Sequence, residues 1–307
     1  MDNQKVLIKG GISVICLNEG YDETFARPSY DGGIDHGSVD MIFVDLPYNI
    51  TQARFDGCIP MEDYIEVNVG RKKVNMNKRE WFMYYHEVNK YIVEDHWEKV
   101  HKKGLWSKYD RLLEDNGVVV LTAAQPFTSY LVTTARECGF KLQAEWIWEK
   151  TQATGHLNAK RLPMKAHESV LIFVKQRSKG HTYNPQKTEG HTRKVSSAAH
   201  KRATRNNQTE LYGKSDNFTD YDSTTRYPRT VLRFKSDKQT LSLHPTQKPL
   251  SLVEYFIRTY SNPSDLILDN VAGSLTTAEA ALNTGRNCIA IESDEEYFKK
   301  GLTRFSK

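Results

Sequence analysis

The stretch VDMIFVDLPYNI, residues 39–50, most constrains the fold, because Met41, Ile42, Phe43 and Val44 form an apolar run without a polar face. A strand that alternates apolar and polar residues can leave one face in water, whereas an unbroken run has to be covered on both. Runs of similar character recur at VVVLTA, KLQAEWIWEK, ESVLIFVK, DLILDN and NCIAIE. Between them lie amphipathic stretches such as PFTSYLVTTARECG, HPTQKPLSLVEYFIRTYS and DEEYFKKGLTRF. Strands alternating with helices imply an α/β fold with a mostly parallel sheet and helices on its faces. LWSKYDRLLEDNG reads as one of these helices, ended by Asn116-Gly117.

Two regions interrupt the alternation. In residues 61–104, Trp81, Tyr84, Tyr85, Val88, Tyr91, Ile92 and Trp97 recur at roughly helical spacing and Gly104 offers a stop, which predicts an inserted helical element. In residues 176–243 the hydrophobic pattern collapses into a polar, basic, tyrosine-containing segment too long for a plain loop. The chain therefore divides into one half of a sheet domain at 1–60 and 105–175, an insertion at 61–104, a basic segment at 176–243 and a second half at 244–307.

Charge follows the same division. Residues 151–243 hold 18 Lys and Arg against 7 Asp and Glu, a net of +11, which leaves the rest of the chain at −6 within a total of +5. Such asymmetry points to a polyanionic partner for the basic segment. No apolar run approaches the ~20 residues that span a bilayer, and MDNQKVLIKG lacks the features of a signal peptide. A cytoplasmic protein without a membrane partner is expected. Cys16, Cys58, Cys138 and Cys288 form no C-x-x-C pair, and His156, His167, His181, His191, His200 and His244 match no compact ligand spacing, so no metal site is expected.

Three motifs in chain order resemble those of the β-type amino-methyltransferases of DNA. They are DLPY at 45–48, HPTQKP at 244–249 and LDNVAGSLTTAEAALNTGRNCIAIESDEEYF at 268–298, with EWIWEKTQATGHLNAKRLPMKAHESVLIFVK similar to the family's aromatic and basic middle section. The resemblance implies a circularly permuted Rossmann-like sheet, S-adenosylmethionine as cofactor and double-stranded DNA as partner. It further implies site-specific adenine-N6 methylation of the restriction-modification or phage type. Relatives of this kind often dimerise, so a homodimer is expected.

By the same resemblance, Asp45 and the backbone carbonyl of Leu46 accept the N–H groups of the target amine, Pro47 stiffens the turn and Tyr48 stacks on the flipped base. Asp45, His244, Thr246 and Lys248 border the cofactor, with Lys248 serving its carboxylate. Asp269, Gly273, Ser274 and Thr276 form the cofactor turn, and Glu292 accepts the ribose hydroxyls. Lys160, Arg161, Lys165, Arg193, Arg202 and Arg205 are expected on DNA phosphates, and Asn206, Asn207 and Gln208 on adenine edges.

Four positions depart from the family pattern: Leu46 replaces a proline, Val271 an aromatic, Leu275 a glycine and Gly11 an aspartate. The last three leave open a cofactor-degenerate DNA-binding relative, non-catalytic or one subunit of a heterodimer. Cytosine-N4 methylation is the enzymatic alternative. Asp45 stands where such enzymes usually carry serine, which favours adenine.

Overall fold

The computed structural model describes residues 4–27, 33–47, 61–69, 72–80, 104–199, 220–237 and 243–306. The chain forms two compact units, Met1–Asn184 with Thr230–Lys307, and Pro185–Arg229. In chain order the strands are β1 (Gln4–Lys9), β2 (Ile12–Leu17), β3 (Val39–Val44), β4 (Tyr64–Val69), β5 (Lys72–Asn77), β6 (Leu113–Ala123) and β7 (Phe140–Thr154). They continue as β8 (Lys165–Lys175), β9 (Lys194–Ser196), β10 (Tyr221–Ser223), β11 (Val231–Phe234), β12 (Leu266–Asp269) and β13 (Asn287–Ile291). The helices are α1 (Tyr21–Ala26), α2 (Leu105–Leu112), α3 (Phe127–Glu137), α4 (Leu250–Tyr260), α5 (Thr276–Thr284) and α6 (Glu295–Leu302).

The first unit is built on a nine-stranded sheet in the order β1-β2-β13-β12-β3-β6-β8-β7-β11. The five pairings β2–β13, β13–β12, β12–β3, β3–β6 and β7–β11 are parallel; β1 and β8 run against their neighbours. The mostly parallel sheet expected from the alternation is present. Its centre explains the apolar run at 41–44. Met41 and Phe43 face a core with Leu252, Phe256 and Ile257 of α4 and Ala278 and Ala281 of α5. Ile42 and Val44 face the opposite core, against Trp106 and Tyr109 of α2 and Leu131 and Ala135 of α3. Each such side chain contributes about 2 kcal/mol by leaving water, and a polar residue at any of the four would lie in one core or the other.

Three local readings change. LWSKYDRLLEDNG is not one helix to Asn116-Gly117: α2 stops at Leu112, and Leu113 is extended at φ −73, ψ 138. The buried ammonium of Lys175 donates to the carbonyls of Asp110 and Leu113 at 2.8 and 2.6 Å, satisfying terminal carbonyls of the helix and fixing its end. The start of the insertion is a hairpin of β4 and β5 rather than a helix. After it, the Asn77 amide oxygen accepts from Glu80 N at 2.9 Å while the Glu80 carboxylate accepts from Asn77 N at 3.0 Å, a reciprocal cap at 77–80. The helical spacing read from Trp81 to Trp97 lies outside the described residues, as does Cys58. Finally, Gly11 is a turn residue. Gly10 and Gly11 have φ +58 and +83 and join β1 to β2, a hairpin geometry that requires positive φ at both central positions.

The second unit, 185–229, lies within the basic segment, whereas β11 belongs to the large sheet, beside β7. Within that unit, β9 pairs with β10 and Thr188 bridges to Arg226. No helix among the described residues is long and apolar enough to cross a membrane.

Candidate functional site

Strands β3 and β12 are neighbours, with Met41 opposite Ile267 and Ile42 opposite Leu268. Residues more than two hundred apart in sequence, Asp45 and Asp269, therefore emerge at adjacent carboxyl ends. Here the sheet order reverses, since β12 leads through α5 to β13 on one side while β3 adjoins β6 on the other. Ligands of open α/β sheets bind at such a switch point. A cleft of about 1190 Å³ opens there, lined among others by Asp45, Leu46, Pro47, Lys248, Asp269 and Glu292.

On the β3 side, Thr122 at the end of β6 donates its hydroxyl to Asp45 Oδ1. Lys248 Nζ donates to Asp45 Oδ2 at 2.6 Å and lies 3.3 Å from Glu168 Oε2, whose other oxygen is 2.5 Å from Lys150 Nζ. Lys248 is buried, which opposes its charge, but the carboxylates of Asp45 and Glu168 outweigh burial and hold its pKa above the usual lysine value. Burial likewise opposes the charge of Glu168, and Lys248 with Lys150 brings its pKa below the ordinary range. Lys248, expected to serve a ligand's carboxylate, lines the cleft and engages the Asp45 carboxylate. His244 bends back locally, its Nδ1 accepting from Thr246 Oγ1 at 3.0 Å while its ring meets Tyr297 edge-on at 4.2 Å.

On the β12 side, burial pushes the Asp269 carboxyl up to about 7. The Thr277 hydroxyl and the Val271 N–H partly offset this, and Glu292 and Asp45 add repulsion. Glu292 is also raised, by burial first. Its two oxygens accept from Gly273 N at 2.6 Å and Asp294 N at 2.8 Å, so it buttresses the turn as well as facing the cleft. Three carboxylates around one cleft favour a cationic ligand.

Leu275 does not fill that cleft. It adopts the left-handed conformation of a glycine, φ 59 and ψ 30, and its side chain is fully buried. It packs under the turn against Gly301, where an added Cβ would lie 2.6 Å from Leu275 Cγ. A left-handed non-glycine residue costs about 1–2 kcal/mol, which burial of the leucine offsets. Arg304 locks the same turn, donating to the Ser274 carbonyl at 2.5 Å and the Thr276 hydroxyl at 3.0 Å, and pairing with Glu279 at 2.6 Å. Ser274 and Thr276, expected as ligand donors, are buried and bound to this guanidinium.

Among the expected DNA contacts, Lys165 lines the cleft and Lys160 and Arg161 lie exposed beyond it. Arg193, in the second unit, is held by both oxygens of Asp222, at 2.7 Å for the Nε contact. Tyr48, Arg202, Arg205 and Asn206 to Gln208 lie outside the described residues. Thr122, Lys150, Glu168 and Arg304 were not singled out in the sequence. The signal for Thr122 and Glu168 was present: each is a polar or charged residue at the cleft end of a strand otherwise apolar over several positions. Arg304 carried no such mark.

A family model described as DNA methylase, of the N6/N4 type, matches residues 39–303. The chain is 28% identical over 272 residues to DNA adenine methyltransferase YhdJ of Escherichia coli K12, covering 87% of this chain and 76% of that protein. The fold matches the M1.HpyAVI–SAM complex with a TM-score of 0.55 at 21% identity, over 95% of this chain and 98% of that one. It also matches the cytosine-N4-specific PvuII DNA methyltransferase with a TM-score of 0.54 at 15% identity, over 94% and 85%. With the family model spanning both strand ends of the cleft and the sheet that carries them, the chain belongs to the N6/N4 DNA methylase family.

Proposed function

We propose that the protein is a site-specific adenine-N6 DNA methyltransferase with S-adenosylmethionine as donor. The observation that carries this reading is the adjacency of Asp45 to Asp269 and the Gly273 turn across one cleft. The residues fit such a cofactor. The cleft is acidic, as a sulfonium and an ammonium require, and the amide nitrogens of Asn270 and Gln247, buried at its wall, have no hydrogen-bond partner among the described residues. Asp269, Asn270, Gly273 and Glu292 would hold it, beside His244 and Thr246. When bound, it supplies an electrophilic methyl group on a sulfonium.

The target amine is a weak nucleophile because its lone pair is delocalised into the ring. Asp45 and the carbonyl of Leu46 each accept one of its N–H groups and orient the nitrogen for in-line attack. A carboxylate oxygen of Asp45 would take up the proton that the target nitrogen sheds on methylation. Lys248 and Thr122 fix that carboxylate, so little reorganisation accompanies the step.

Asp45 favours adenine, and the identity to the adenine enzyme of E. coli supports the same choice. Cytosine-N4 methylation is the second reading, favoured by a family model that covers both bases and by the likeness to the PvuII enzyme's fold. Mass analysis of nucleosides from plasmid DNA incubated with the protein and donor separates them. N6-methyladenine is expected; N4-methylcytosine overturns the adenine assignment, and absence of both favours a DNA-binding relative without activity.

A further inference from the structure

The β7–β8 hairpin projects a tip, residues 155–164, beyond the large sheet. Thr154 pairs with Lys165 at its base, and both line the cleft. The tip is internally ordered: Gly155 at φ 92 starts a 3-10 turn at His156–Asn158, and the N–H groups of Asn158, Ala159, Arg161 and Leu162 find acceptors within the tip.

Its surface is unlike the rest of the rim. Leu157 is 89% exposed, Leu162 64% and Met164 42%. Single exposed apolar residues are ordinary, but three on one short tip need a partner. The same stretch, GHLNAKRLPMK, carries Lys160, Arg161 and Lys165 and no acid. Cations match phosphates, and a compact apolar side chain matches the space between stacked bases. An enzyme that modifies a base in a duplex has to draw it from the stack and leave such a space behind.

We propose that this tip is a DNA wedge. Leu157 enters the stack where the target base leaves, and Lys160 and Arg161 bind the flanking phosphates. The proposal rests on the DNA-methyltransferase reading above and adds the device that opens the duplex.

Plasmid DNA methylated by the protein is sequenced to fix the modified site. Two short duplexes of that site are then compared, one fully paired and one with the target base facing an abasic position. Leu157→Ser is expected to slow methylation about tenfold on the paired duplex and under about threefold on the abasic one, where opening needs no wedge. Leu157→Met, still apolar, is expected to restore the paired rate. Calorimetric binding of the donor should be the same in both variants, which checks their folding. Equal slowing on both duplexes, or slowing on neither, overturns the wedge while leaving the methyltransferase reading intact. A contact with phosphatidylserine vesicles, or a dimer, that is lost in Leu157→Ser without a change in either rate assigns the tip elsewhere and also overturns it. Failure of the unaltered protein to methylate any DNA overturns the underlying reading, and the wedge with it.

Discussion

At the end of β3, Asp45 meets the Thr122 hydroxyl and the buried ammonium of Lys248. At the end of the neighbouring β12, Asp269 meets, among the described residues, the Thr277 hydroxyl and one N–H, with Glu292 and Asp45 adding repulsion. The two acids end adjacent strands of one sheet, but Asp45 is about a quarter exposed whereas Asp269 is buried. The differences are burial and the cation. One carboxylate has its countercharge built into the fold, so it is oriented before substrate arrives. The other has none among the described residues, and burial pushes its pKa up to about 7. A group of that kind invites a cationic ligand, and it makes ligand binding sensitive to pH.

The strongest break of this comparison is Asp45→Ala. Methyl transfer is expected to fall about a thousandfold or more, because an interaction made with the reacting amine disappears. Donor affinity, measured by calorimetry, should stay within about threefold if the two sides work separately; a parallel loss of affinity would show that Asp45 belongs to the donor's seat. Next is Lys248→Met. It leaves Asp45 and Glu168 facing one another without their shared cation, and loss of one partner of a buried pair costs about 3 kcal/mol. Urea unfolding reads this directly, and an unchanged midpoint would mean that the network is dispensable.

A gentler probe is pH. Folded Asp269 titrates near 7, against an ordinary value of 3.8, so between these values the native state holds a proton that the unfolded chain releases. The contribution of Asp269 to stability therefore falls as pH rises through this window and is level above it. A cation bound beside it prefers the ionised form, so donor affinity should rise from pH 6 to pH 8, by about tenfold, and flatten beyond. In Asp269→Asn that rise should vanish; a profile unchanged by the substitution would place the titration elsewhere. The smallest effect is expected from Leu275→Gly. Relief of the left-handed backbone recovers about 1 kcal/mol, while lost burial under α6 costs about 2, a net loss near 1 kcal/mol by thermal unfolding. A gain in stability would mean that the leucine packs poorly.

Much of this was legible along the chain. The central strands were readable because burial on both faces leaves no polar residue to blur the pattern, and Asp45, Asp269 and Glu292 were readable because a charge at the end of such a run has to point into solvent or a site. The pairing of Arg193 with Asp222 was not readable, since Asp222 sits on the paired strand of another sequence region. The insertion's hairpin escaped notice because the aromatic spacing that follows it dominates that stretch.

The sequence by itself determined the central strands of the large sheet, the position of each acid at a strand end and the family to which those motifs belong. Tertiary structure alone decided the partners: that Lys248 turns to Asp45 and Glu168, that Leu275 points beneath its turn, that Arg304 clamps the turn from near the chain's end, and that α2 stops at Leu112 under Lys175. The reason is physical. Burial pattern and turn chemistry act over a few neighbouring residues, whereas the direction of a side chain and the partner of a charge depend on groups brought close only when strands distant in sequence pair.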